Sequence, residues 1–275
     1  MTRQTITPFI LIIVTPVFIW LSHYLAVFPH EYAHSITAWL LGEKENPFAL
    51  DYGGTSWKNL LLLWNIDENV DYNRMFDQGL DFQAGLCAFA GPDLGTVLMF
   101  LLGSFLLDNS RVKRHPYGYY FIFWFQLMNL GNLYDYVPIR TFSPGGDIGN
   151  IVRGWHISPW WVFVLGGYWV AYLIGRFFTR TLPELYRTLR IECKAQQAGI
   201  MVVSVVLLMG WFGGILGVFY VDDPLASGEI TCFLKITSFV SIPGLIWLLW
   251  PSCRWMQEMQ EMQVRLHNEP QATLS

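Results

Sequence analysis

The residues best able to do chemistry stand together in an apolar stretch: His30-Glu31-Tyr32-Ala33-His34, inside "FPHEYAHSITAWLLG". Four residues along a helix turn the chain by about 400°, so His30 and His34 share a face and can chelate one metal ion. Glu31 sits about 100° from His30, placed to reach a water beside the metal rather than the metal itself. Imidazole suits zinc, and a catalytic zinc site keeps three protein ligands and one open position. The chemistry this spacing points to is metal-assisted hydrolysis with Glu31 as the proton acceptor.

Two histidines leave one ligand to find. His115 and His267 lie in basic or terminal segments. His23 would share the face of His30 on a continuous helix, and His156 opens a later apolar run. Carboxylates are better candidates. Asp147, in "SPGGDIGN", follows two glycines that let the backbone turn sharply, and Asp135, in "NLYDYVP", is the alternative. Both fall in 134–150, where prolines, glycines and charges interrupt an apolar context. Irregular backbone at membrane depth requires surrounding protein or a watery cavity. Cys87, Cys193, Cys232 and Cys253 are too scattered for a zinc knuckle or a disulfide framework.

The elements that must position these groups are membrane helices. Of 275 residues, 53% are hydrophobic and 14% charged, well below the charge of an ordinary soluble domain. Apolar runs at about 8–41, 82–107, 117–137, 156–178, 199–221 and 230–250 imply an all-α polytopic membrane protein of about six transmembrane helices. The first run exceeds one straight span, and Pro16 and Pro29 are expected to break it, with Pro29 opening the segment that carries the motif. Between the first two helices, the polar insertion 43–80 contains "PFALDYGGTSW", expected to form a small β-hairpin or sheet that turns at Gly53-Gly54. The tail from Met256 reads as a solvated helix end. Most Lys and Arg fall in Arg3, the 108–116 and 176–194 loops and the tail, whereas "NIDENVDYNRMFDQGLD" is acidic. This bias predicts cytoplasmic N- and C-termini, with the motif and both aspartates towards the opposite side. No basic patch suits nucleic acid.

Three segments, "HEYAH" (30–34), "FAGPDLGTVLMFLLG" (89–103) and "NLYDYVPIRTFSPGGDIGN" (132–150), resemble in order the motifs of the site-2 protease family of intramembrane zinc metalloproteases. The resemblance covers roughly residues 16–155. It implies a protease-like core at 1–155, with further transmembrane helices at 156–255 and a polar tail at 256–275. It also implies Zn2+ held by His30, His34 and Asp147, with Asp135 as the alternative ligand, and Glu31 as the general base. Asn132 would hold substrate or transition state, and the Gly53–Gly54 sheet edge would receive an unwound strand of a transmembrane protein substrate within the lipid bilayer. The chain departs from the family at Ala33, at Gly95 (where the family has Asn) and in the stretched third motif. Asp93 stands near the lost Asn, either restoring its polarity or hydrogen bonding within the bundle. These departures are what an alternative reading draws on, a non-proteolytic membrane binding or regulatory protein that keeps the fold. Substrate identity and oligomeric state are not encoded in any motif.

Overall fold

The structure, a computed structural model, describes residues 8–63, 65–214, 228–259 and 261. Arg3, the end of the expected 199–221 span, and the tail after residue 261 with His267 lie outside the described residues. Among the described residues, five helices are long and apolar enough to cross a membrane: α1 (Pro8–Leu40), α4 (Asp81–Asp108), α7 (Pro159–Leu189), α8 (Lys194–Trp211) and α9 (Glu229–Leu248). Shorter helices are α2 (Trp57–Leu62), α3 (Tyr72–Asp77) and α6 (Gly146–Trp155). The expected span at 117–137 is a helix, α5 (Pro116–Tyr134), but its tyrosines, Gln126, Asn129 and Asn132 leave it less apolar than the other five. It runs through the middle of the bundle, packed by α1, α4, α7 and α8, with most of its side chains buried. Two of its amide nitrogens bond internally, Asn129 Nδ2 donating to Phe125 O at 2.8 Å and Gln126 Nε2 to Ser104 Oγ at 2.8 Å, while Gln126 Oε1 and Asn129 Oδ1 are buried without a partner among the described residues.

Large apolar side chains cover the outside, among them Ile12, Trp20, Leu101, Phe105, Tyr172, Phe233, Val240 and Trp247. Apolar exposure on this scale suits contact with lipid rather than water. One hydrophobic core runs from Leu11 through Trp124 and Leu185 to Met256, joining the first 155 residues to the later helices. Met256 is buried in it, whereas Arg254, Gln257 and Glu258 on the same helical turn are exposed.

Two expectations are corrected here. Helix α1 is continuous through Pro16 and Pro29, so Pro29 lies inside it and opens no new segment. Each proline removes one N–H from the ladder, a loss that a packed apolar helix tolerates. At about 1.5 Å per residue α1 extends about 50 Å, and the histidine motif occupies its last third.

The insertion forms no β-hairpin or sheet among the described residues; a single antiparallel bridge joins Asp51 and Asp67. Gly53 and Gly54 both adopt positive φ, +65° and +81°, which turns the chain out of an extended path. The side-chain amide of Asn59 donates to the Tyr52 and Gly54 carbonyls, using acceptors that a second strand would need. The segment instead runs back beside α1. Phe48 packs on Tyr32, Tyr52 on Phe28, Leu60 O accepts from the Tyr24 hydroxyl, and Leu62 O lies 2.8 Å from His23 Nε2. Lys44 closes the base of this excursion by donating to the carbonyls of Ala49, Glu68 and Asn69.

Candidate metal centre

His30 and His34, one turn apart on α1, are both buried and present their Nε2 atoms to one point. The two nitrogens are 3.1 Å apart. Asp147, in the first turn of α6, closes the triangle, its Oδ2 lying 3.1 Å from His30 Nε2 and 3.4 Å from His34 Nε2. Tetrahedral zinc, with bonds of about 2.0–2.1 Å, spaces its ligands about 3.3 Å apart, so the triangle has the size that zinc requires. The three residues also form the one group of His, Cys, Asp and Glu among the described residues that could hold a metal ion.

The far side of each imidazole is tied. His34 Nδ1 lies 2.7 Å from Cys87 O, and a carbonyl only accepts, so Nδ1 carries a proton and Nε2 is the atom turned to the triangle. His30 Nδ1 lies 3.0 Å from Thr96 Oγ1, which can serve the same purpose. Burial works against ionisation of Asp147, but the neighbouring His34 and His30 outweigh it and hold the carboxyl below the usual carboxylate range. A carboxylate and two imidazole nitrogens, which give up any proton to the metal they bind, are a donor set that a divalent zinc ion takes.

Glycines bring the helices close enough for this. Where "AGPDLG" begins, α4 widens into a π-helical turn over Gly91–Val97 that lies across α1. A Cβ at Gly91 would overlap the His34 ring, and one at Gly95 would come within 2.5 Å of His30 Cα. The Gly95 departure from the family pattern therefore lets two helix backbones touch at the motif. Helix α6 is set on α4 by a second close crossing, because a Cβ at Gly154 would lie 2.5 Å from Asp81 O and 2.7 Å from Gly85 N. Gly146, with φ +76°, turns the chain into α6 immediately before Asp147.

A polar cavity of about 480 Å³ opens beside the triangle. Glu31 lines it, together with His23, Glu68, Tyr72, Tyr136, Arg140 and Asn150. Glu31 makes no hydrogen bond or ion pair with any described residue, so among them its carboxyl group is uncommitted within the cavity. Tyr72 is pushed well above its ordinary value by burial and by the Glu68 carboxylate, so it stays a neutral phenol.

Other expected residues fall elsewhere. Asp135 pairs with Arg140 at 3.4 Å and is not part of the triangle. Asn132, Gly53 and Gly54 do not line the cavity, and His156 caps the end of α6 with its ring 3.7 Å from Asp81. His23 engages the Leu62 carbonyl through Nε2, leaves Nδ1 buried without a partner among the described residues, and is not part of the triangle. Asp93 makes neither a hydrogen bond nor an ion pair with any described residue and faces a separate apolar cleft.

Sequence reasoning missed Glu68, Tyr72 and Tyr136. Glu68 lies on a loop brought back by the bridge at Asp67, and no local pattern marks that return. Tyr136 had a signal, since it follows Asp135 in a stretch already marked as irregular. No protein-family profile, no curated protein and no solved structure matches this chain.

Proposed function

We propose that the protein is a zinc-dependent intramembrane endopeptidase, which hydrolyses a peptide bond in or beside a transmembrane segment of a membrane protein. One observation carries the reading: two histidine nitrogens and a carboxylate oxygen form a triangle of zinc dimensions, next to an uncommitted glutamate in a polar cavity within an apolar bundle. Resemblance of the three motifs to the site-2 protease family adds to it, because the same three ligands come from motifs one and three.

His30, His34 and Asp147 would hold the metal. When bound, zinc supplies Lewis acidity towards a carbonyl oxygen and towards water. Glu31 accepts the proton that water loses on attack and delivers it to the departing amine nitrogen. The polar cavity admits water to the site and receives backbone freed from a locally unwound substrate helix, whose carbonyls are otherwise held in intrahelical bonds. The surrounding apolar helices keep other water away.

The test uses the full chain in detergent or proteoliposomes, with metal analysis and cleavage of membrane peptides. Glu31→Gln is expected to retain zinc at the wild-type level and to lose cleavage. Cleavage that persists in this variant, or a wild type that binds no zinc, would sink the reading.

A further inference from the structure

Hydrolysis of an amide needs a hydrogen-bond donor where the carbonyl oxygen gains charge, a contribution on the order of 10²–10³ in rate when one such donor is removed. Asn132, the residue the family resemblance assigns there, does not line the cavity. Tyr136 does. Beyond Tyr134 the helix widens over Asp135–Ile139, and Val137 leaves helical geometry altogether (φ −139°, ψ 111°). A plain continuation of α5 is thereby interrupted at Tyr136, which lies against the metal-binding triangle.

The Tyr136 ring stacks on the His30 imidazole, with centroids 4.8 Å apart and planes inclined by 13°. Its hydroxyl lies 2.9 Å from His30 Nε2, the nitrogen that is also 3.1 Å from both Asp147 Oδ2 and His34 Nε2. The phenol thus reaches the ligand side of the triangle. Tyr72 is the other phenol in the cavity, but its hydroxyl meets His34 at Nδ1 (3.4 Å) and Cys87 Sγ (3.7 Å), on the far side of that ring. Arg140 faces the Tyr136 ring at 5.3 Å and is itself held by Asp135 at 3.4 Å, so ring and cation brace one another. On its other side Tyr136 walls the apolar cleft, with Leu133, Val137 and Ile148. A ring held on both faces offers its hydroxyl without reorganisation.

We infer that Tyr136 is a catalytic residue, the donor that stabilises the oxyanion of the scissile peptide; this rests on the endopeptidase reading. When the His30 Nε2 lone pair is committed to a metal it can no longer accept, and the Tyr136 O–H is free to find another acceptor on that side. As the water oxygen bonds to the carbonyl carbon, the C=O π pair moves onto the carbonyl oxygen, while Glu31 takes the water proton. Tyr136 donates a hydrogen bond to that oxygen and keeps its own proton. When the C–N bond breaks, the pair returns to C=O and the amine leaves with the proton from Glu31.

Tyr136→Phe keeps the ring, its stack on His30 and its contact with Arg140. In the full zinc-loaded chain, kcat is expected to fall about 10²–10³-fold with KM nearly unchanged. Independently of turnover, a phosphinic peptide that mimics the tetrahedral oxyanion is expected to bind about 100-fold more weakly, with zinc content and thermal unfolding as in wild type. Wild-type affinity of Tyr136→Phe for the phosphinic peptide would overturn the assignment while leaving the endopeptidase reading in place. So would loss of zinc from the variant, which would make the phenol a ligand or a structural prop. A zinc-loaded wild type that neither binds the mimic nor cleaves membrane peptides would overturn both.

Discussion

At the scale of single residues, the proposed zinc site depends on how each imidazole is oriented as much as on which atoms would face the metal. The Cys87 carbonyl fixes the tautomer of His34, and a backbone carbonyl cannot be removed by substitution. Thr96 is the adjustable counterpart at His30. Thr96→Val, which keeps the shape and removes the hydroxyl, is expected to lower zinc affinity about 10–100-fold. Asp147→Ala is expected to lower it further than Thr96→Val, while Asp135→Ala leaves it near wild type; competition with a chromophoric chelator ranks the three. Legibility at this scale was uneven. His30, Glu31 and His34 could be read because helical spacing is local, and Asp147 because two glycines flagged a turn. The sequence put Asp147 ahead of Asp135, and the structure adds that Arg140 folds back onto Asp135. Glu68 and Tyr136 carry no local mark, since their role comes only from what the chain brings opposite them.

Elements set the separation of the ligands. In the proposed site, helix α1 would supply two ligand atoms and α6 the third, and the two helices meet at the right depth because α4 admits both closely. Glycines at 91, 95, 85 and 154 are where it does so. At Gly154 the neighbours are backbone atoms of Asp81 and Gly85, which cannot swing aside as a flexible side chain would. Gly154→Ala is therefore expected to destabilise by about 1–3 kcal/mol and to reduce bound zinc by displacing Asp147, with helical content by circular dichroism preserved. Helix positions at this scale were largely legible: 82–107 and 230–250 match α4 and α9 within a residue or two, because apolar length is a direct constraint. The hairpin at 43–58 was not. Alternation suggested a strand, but Asn59 and the positive-φ glycines diverted its backbone groups into a loop packed along α1.

Across the whole molecule, a charged and polar cavity lies among helices whose outer faces are apolar. With the basic 108–116 loop on the cytoplasmic side, α4 would carry the chain across once, putting residues 70–80 and the cavity mouth on the opposite side. In a variant with Cys193, Cys232 and Cys253 changed to serine, Gln78→Cys and Arg114→Cys are expected to react with a membrane-impermeant maleimide from opposite sides. Labelling of both from one side would contradict this topology. The amino-acid order by itself determined the apolar helices and the His-Glu-His face, because hydrophobic length and helical spacing act over a few turns. It also brought forward Asp147 as the leading third ligand. Only the tertiary structure decided that α5 is an interior helix, that Asp147 meets both histidines at 3.1–3.4 Å, and that Tyr136 rather than Asn132 faces them. Those outcomes depend on close helix crossings at glycines and on a widened helix end, contacts between segments up to 117 residues apart that no local pattern records.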